Sequence, residues 1–184
     1  MGETGQSHPV GDSSVMRTLF LLRHAKSSWS DTTLADHERP LAPRGRRDAK
    51  RIAAHLVSLG VEPDLVLCSD AVRTRQTLER VRTAFRAATT ETVEAELYGA
   101  SSRELLERVR AIDDDVTSVL VIGHNPGLQD LALALASSGF RLSELEAKFP
   151  TAALATLEVP TATWRELAAG DAVLAAYVVP RELG

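Results

Sequence analysis

The sequence predicts an α/β fold, a single domain with a mostly parallel central sheet flanked by helices. Three short apolar runs indicate buried strands at Arg17–Leu22, Leu65–Cys68 and Ser118–Ile122. Each run is continuous rather than alternating, which is typical of strands that are covered on both faces. Segments with helical periodicity separate the runs, and this alternation of strand and helix favours a parallel sheet.

The segments between and after these strands complete the predicted order of elements. Gly60 is expected to cap the first helix, and Ser101 with Glu104 forms the pattern of a capping box at the start of the third. The stretch Glu91–Leu97 is mixed and receives no assignment. The predicted helices are Arg44–Leu59, Ala71–Ala87, Ser101–Ile112 and Leu128–Ala136, and two late strands are predicted at Ala153–Val159 and Ala172–Val179.

The chain of 184 residues fits one domain. Residues 1–15 are polar and rich in Gly and Ser, so they are predicted to be a disordered tail before a domain at 16–184. This start has no basic segment followed by an apolar one and is not a secretory signal. The single cysteine, Cys68, permits no intrachain disulfide and is compatible with a cytoplasmic location.

Composition argues against several classes of ligand. The net charge of −4 and the aromatic content of 4% oppose nucleic-acid binding, which would rest only on the basic faces of Arg44–Arg51 and Arg73–Arg86. No apolar run reaches the roughly 20 residues of a membrane-spanning helix. No residues have the spacing of a metal site, and no glycine-rich nucleotide loop occurs, so neither metal nor cofactor is expected.

Polar residues follow each of the three buried strands directly. Arg23 and His24 follow the first strand, Arg73 lies just beyond the second, and His124 follows the third. Because the carboxyl ends of parallel strands meet at one edge of a sheet, we expect these side chains to converge. Arginine matches phosphoryl oxygens with a planar, permanently charged fork, and a neutral imidazole is a competent nucleophile. The constellation therefore predicts a phosphate site.

Four segments resemble the histidine phosphatase superfamily, the relatives of phosphoglycerate mutase: LFLLRHAKSSW, ERPLAPRGRRDA, DLVLCSDAVRTRQT and SVLVIGHNPG. They are similar to the SixA-type phosphohistidine phosphatases in particular, and the resemblance spans about Arg17 to Val179. It implies that His24 accepts the phosphoryl group and that Arg23, Arg73 and His124 surround it. Ser27 follows the RH pair closely and is expected to touch phosphate.

The resemblance also implies a general acid in the middle of the chain. Glu96 in EAELYGAS is the best candidate, with Glu94 as the second. The short segment between Arg73 and His124 argues against the extra substrate-binding segments of the family's mutases. The expected activity is metal-independent hydrolysis through a phosphohistidine on His24, with a protonated His124 beside it.

The expected partner is a protein carrying phosphohistidine. The alternatives are a phosphatase for small phosphorylated metabolites, and a non-catalytic module that binds phosphate or phosphoproteins.

Overall fold

The computed structural model describes residues 15–184. The predicted tail therefore lies outside the described residues, apart from Val15, which begins the first strand. No helix in the described part of the chain is long and apolar enough to cross a membrane.

The described residues form one seven-stranded sheet in the order β3-β2-β4-β1-β6-β7-β5. Pairing is parallel between β1 and β4, β4 and β2, β2 and β3, and β5 and β7, whereas β6 runs antiparallel to both β1 and β7. This confirms the predicted mostly parallel sheet. The strands are β1 (Val15–Arg23), β2 (Leu65–Ser69), β3 (Thr90–Glu94), β4 (Ser118–Gly123), β5 (Ala136–Gly139), β6 (Leu154–Thr161) and β7 (Ala172–Val178).

Helices cover both faces of the sheet. They are α1 (Pro43–Ser58), α2 (Val72–Val81), α3 (Ser102–Arg110), α4 (Gly127–Leu135) and α5 (Leu142–Ala147). Alternate residues of β1 therefore enter two separate apolar cores: Leu19 and Leu21 pack with α3 and α4, and Phe20 and Leu22 pack with α1 and α2. Burial on both faces explains why β1 is a continuous apolar run.

Local signals in the sequence set several of the helix ends. Gly60 follows α1 with a φ of 62°, the left-handed conformation that favours glycine. Ser101 and Glu104 form the predicted capping box of α3. The predicted end of α2 at Ala87 is wrong: the helix stops at Val81, since Phe85 has extended backbone and packs against the core of α1 and α2.

Three elements were not predicted: β3, which overlaps the unassigned stretch Glu91–Leu97, and β5 and α5. The four residues of β5, ASSG, are small, and within the described residues they pair with β7. The short α5 has a single fully buried residue, Leu145. Both segments are too short to show a strand-like or helix-like pattern of apolar residues. They depend instead on contacts with β7 and α4.

The strands β2, β4 and β1 are neighbours, and each ends at the same edge of the sheet. The three polar strand ends that the sequence singled out are therefore brought side by side.

Candidate active site

A cleft of about 430 Å³ opens at this edge of the sheet. Among the residues that line it are five expected from the sequence to contact phosphate: Arg23, His24, Ser27, Arg73 and His124. The predicted convergence of the strand ends is thus present in the structure.

His24 is buried at the base of the cleft, with 7% of its surface exposed. Its Nδ1 lies 2.8 Å from the carbonyl oxygen of Ala25. A carbonyl oxygen only accepts, so Nδ1 carries the hydrogen and the lone pair is on Nε2. Burial lowers the pKa of His24 to about 3, with the charge of Arg73 adding to the effect and the bond to Ala25 opposing it. The imidazole is therefore neutral at neutral pH, with Nε2 available as a nucleophile.

Arg73 connects the two histidines of the cleft. Its Nε donates to His24 Nε2 at 3.3 Å, and its Nη2 lies 3.3 Å from His124 Nδ1. The guanidinium is buried, and both of these bonds are long for N–H donors. An oxygen of a bound anion offers a better acceptor than either ring nitrogen, because bonds between charged groups are shorter and stronger.

His124 faces Arg73 with one ring nitrogen and Ser69 with the other. Its Nε2 lies 2.9 Å from the Ser69 hydroxyl. Burial and then the charge of Arg73 lower the pKa of His124 to about 4. In the free protein the ring is therefore neutral at neutral pH, and Nδ1 accepts from Arg73. The expected protonation of His124 concerns the complex with a phosphoryl group and stays a prediction. A phosphoryl dianion beside Nδ1 would raise the pKa again, since an opposite charge favours the imidazolium.

Arg23 and Ser27 complete the set of predicted phosphate contacts. Arg23 donates from Nη1 to the carbonyl oxygen of Phe149 at 2.7 Å, while its buried Nε has no hydrogen-bond partner among residues 15–184. Burial, and secondarily the charge of Arg73, lowers the pKa of Arg23. The Ser27 hydroxyl accepts from Arg39 Nη2 at 2.8 Å. Both side chains thus keep hydrogen-bonding capacity at the cleft.

Backbone contacts fix the position of the nucleophile. The Ala152 amide donates to the carbonyl oxygens of both Arg23 and His24 at 3.1 Å. Ala152 has a φ of 59°, which is uncommon for a residue with a Cβ. The Ala25 amide donates to the Thr77 hydroxyl, which in turn donates to the Arg73 carbonyl oxygen. The RH pair and Arg73 are therefore held by one continuous hydrogen-bond network.

The structure does not bring the predicted general acids into the cleft. Glu96 is exposed and does not line the cleft, because the turn Ala95–Leu97 buries Leu97 and leaves Glu96 in solvent. Glu94 is held by two bonds of 2.8 Å from Arg108, which lower its pKa. The position of neither glutamate supports the role expected from the sequence.

Several cleft residues were missed by the sequence reasoning. Asp36 supplies the carboxylate of the cleft, and Arg39 lies between Asp36 and Ser27. Trp29 and Tyr98 are aromatic residues at the rim, 68% and 39% exposed, and Arg39 stacks on the Trp29 ring. Most of these residues lie in the irregular segment between β1 and α1, where no periodicity signals them. Trp29 and Arg39 did have a signal, because they lie in the segments LFLLRHAKSSW and ERPLAPRGRRDA.

The charge of the cleft is opposite to that of the whole chain. Four basic side chains line it, against the single carboxylate of Asp36, whereas the chain has a net charge of −4. The basic residues are Arg23, Lys26, Arg39 and Arg73. Within residues 15–184 no group of three His, Cys, Asp or Glu side chains is arranged to hold a metal ion. The site therefore favours an anion held by arginine.

Comparisons with known proteins agree with this chemistry. The family model of the histidine phosphatase superfamily (branch 1) matches residues 19–97. An uncharacterized protein of Mycobacterium tuberculosis H37Rv is 41% identical over 167 residues, which are 87% of this chain and all of the relative.

Solved structures of SixA proteins are similar over most of the chain. A SixA structure from Nakamurella multipartitia has 31% identity and a TM-score of 0.78, covering 91% of this chain and 98% of its own. The protein histidine phosphatase SixA in complex with tungstate has 25% identity and a TM-score of 0.74, covering 91% and 99%. The cleft, the family match and these relatives together show that the chain belongs to the SixA-type branch of the histidine phosphatase superfamily and is a phosphatase.

Proposed function

We propose that this phosphatase removes phosphoryl groups from histidine residues of proteins, with His24 as the transient acceptor. The observation that carries the proposal is the state of the His24 ring. Nδ1 is tied to the Ala25 carbonyl, and Nε2 carries the lone pair at the base of a cationic cleft. This is the arrangement that a nitrogen nucleophile requires at neutral pH.

In the first step, Nε2 of His24 attacks phosphorus in line with the leaving group. The bond from phosphorus to His24 forms while the bond to the substrate nitrogen breaks, and the leaving nitrogen takes the electron pair. Arg23, Arg73 and His124 stabilise the equatorial oxygens, and Ser27 is within the same cleft. Charge stabilisation of this kind is the main contribution that a protein makes to phosphoryl transfer.

In the second step, water attacks the phosphorylated His24. The water oxygen bonds to phosphorus while the bond from phosphorus to Nε2 breaks, and the imidazole regains its lone pair. Inorganic phosphate leaves as H2PO4−, which carries both hydrogens of the water. The hydrogen bond from Nδ1 to the Ala25 carbonyl keeps the ring in the same tautomer throughout. The cycle therefore restores the starting enzyme without any added group.

The protonation state of the carboxylate in the cleft favours a phosphohistidine substrate over an alkyl phosphate ester. The carboxylate that lines the cleft, Asp36, has a lowered pKa because of its bonds to Tyr98 and Arg73, so it is ionised and donates no proton. An alkoxide needs a proton as it leaves. A protonated imidazole ring leaves as neutral imidazole and needs none.

The likeness to SixA proteins and the open rim of the cleft support a protein as the substrate. Trp29 and Tyr98 are exposed at that rim, where the surface of a docked protein would contact them. One SixA relative was solved in complex with tungstate, a tetrahedral anion like phosphate, and this supports an oxyanion as the ligand of the present protein.

A substrate panel with the purified protein tests the proposal. Phosphohistidine protein, phosphoserine peptide and a sugar phosphate are compared with wild type, His24→Ala and the control His55→Ala, which alters a histidine of α1 outside the cleft. We expect preference for phosphohistidine, acid-labile labelling of wild type, and no labelling or turnover by a folded His24→Ala protein. Turnover by that variant would overturn the mechanism. Preference for the sugar phosphate would instead indicate a phosphatase for small metabolites.

A further inference from the structure

The Asp36 carboxylate has three hydrogen bonds with groups of the cleft. Arg73 Nη2 and the Tyr98 hydroxyl donate to Oδ2 at 2.9 and 2.8 Å, and Arg39 Nη1 donates to Oδ1 at 2.7 Å. The side chain is nevertheless 53% exposed, so these bonds are not needed to fill the core. A half-exposed carboxylate that accepts hydrogen bonds from two arginines of the cleft indicates a role in the cleft rather than in the core.

The contacts of Arg73 divide its guanidinium into two edges. On the outer edge, Nη1 donates to the Asp36 carbonyl oxygen at 2.5 Å and Nη2 donates to the Asp36 carboxylate at 2.9 Å. On the inner edge, the bonds to His24 and His124 are both 3.3 Å long. Asp36 thus holds the outer edge with short bonds, while the inner edge keeps weak bonds that an incoming phosphoryl oxygen can replace.

We propose that Asp36 is the positioning residue of the phosphoryl site, which aims the inner edge of Arg73 at the space between His24 and His124. The inference rests on the proposed role of Arg73 as a phosphoryl ligand. Through Arg39, Asp36 also connects to the Ser27 hydroxyl, so that one carboxylate orients groups on two sides of the cleft.

Positioning by Asp36 and the charge of Asp36 have opposite effects on an anion. A negative charge beside the site weakens anion binding by repulsion, and its removal alone would strengthen binding. Loss of the outer hydrogen bonds instead releases Arg73 from the geometry that the transition state requires. The two effects can therefore be separated by the direction of the change.

Two variants of Asp36 separate charge from geometry. Asp36→Asn removes the charge with little change in shape, and Asp36→Glu keeps the charge but displaces the carboxylate by one methylene. Asp31→Asn is the matched control, because it removes a charge from the same loop, where Asp31 accepts hydrogen bonds from Thr33 and does not line the cleft. Tyr98→Phe removes one bond to Asp36 without a change of charge.

The measurements are kcat and KM for p-nitrophenyl phosphate, the Kd for tungstate by titration calorimetry, and the melting temperature of each variant. We expect Asp36→Asn and Asp36→Glu each to lower kcat/KM by about 10–100-fold, the range seen when the partner behind a binding group is lost. The fall is expected mainly in kcat, since the aimed fork acts on the transition state. We expect weaker tungstate binding in both, a smaller loss in Tyr98→Phe and no change in Asp31→Asn.

Tighter tungstate binding and raised kcat/KM in Asp36→Asn, with wild-type values in Asp36→Glu, would overturn the inference and show that Asp36 acts only as a charge. Failure of the wild-type protein to bind tungstate or to turn over substrate would instead overturn the proposed phosphoryl site itself. The two failures are distinguished because the first appears only in the variants.

Discussion

Acid is expected to destabilise the folded protein through the two buried histidines of the cleft. Burial lowers the pKa of His24 to about 3 and that of His124 to about 4, both below the 6.5 of an exposed histidine. The unfolded chain therefore binds two protons as the pH falls below 6.5, while the folded protein binds neither until the pH approaches 4. Stability is fully present above pH 6.5 and is lost progressively below it.

The size of the effect follows from the width of the pH window. A pH of 5 is about 1.5 units below the pKa of a histidine in the unfolded chain. For each of the two histidines this difference lowers the free energy of unfolding by about 2 kcal/mol. Both rings are neutral in the folded protein throughout this window, so their mutual repulsion does not enter, and the two losses add to about 4 kcal/mol. Carboxylates such as Asp36, whose ordinary pKa is 3.8, titrate mainly below pH 5 and contribute little to this loss.

Urea unfolding at pH 8 and pH 5 measures this loss. Phosphate must be absent from the buffers, because a bound anion raises the pKa of both rings. His24→Gln and His124→Gln are each expected to recover about 2 kcal/mol of the loss. His55→Gln is the matched control for removing a histidine, because His55 is a half-buried residue of α1 that does not line the cleft. The reasoning would be refuted if the unfolding free energy of wild type fell by less than about 1 kcal/mol between pH 8 and pH 5. It would also be refuted if a variant with both His24→Gln and His124→Gln lost as much as wild type.

Three further predictions concern the acid, metal independence and the helix that follows His124. Glu96→Gln is expected to leave the hydrolysis of phosphohistidine and of alkyl phosphates unchanged, because Glu96 is exposed outside the cleft; a selective loss on alkyl phosphates would return it to the mechanism. EDTA is expected to leave turnover unchanged, since arginines supply the positive charge; loss restored by an added metal would contradict this. Gly127→Ala is expected to cost about 1–3 kcal/mol of unfolding free energy, because its Cβ would lie 2.0 Å from the Ala100 carbonyl oxygen. Gly123→Ala is the control in urea unfolding, with an ordinary contact of 3.6 Å, and equal stability of both variants would count against the packing argument.

Most of the fold could be predicted because its signals are local. The buried strands β1, β2 and β4 are continuous apolar runs, and the capping box of Ser101 and Glu104 begins α3 where expected. The elements that were missed, β3, β5 and α5, are short; β3 pairs with β2, and β5 and α5 contact β7 and α4. Such contacts between distant segments leave no periodic pattern in the sequence.

The same distinction applies to the cleft. His24 and His124 were predicted because each directly follows a buried strand, and Arg73 because it lies just beyond β2, near the start of α2. Parallel strands end at one edge of a sheet. Asp36 and Tyr98 reach the cleft from irregular segments, so their approach to Arg73 depends on the path of the folded chain. Glu96 was expected in the cleft but lies in solvent, because Leu97 is the buried residue of the turn Ala95–Leu97.

The sequence by itself determined the α/β class, the three strand ends and the basic, histidine-containing chemistry that they carry. Only the tertiary structure decided that Asp36 is the carboxylate beside Arg73, that Glu96 lies in solvent, and that both His24 and His124 are neutral. The physical reason is that a strand is recognised from a run of apolar residues, and such a run consists of neighbours in the sequence. Burial and the attraction between charges act through space, over distances that only folding fixes.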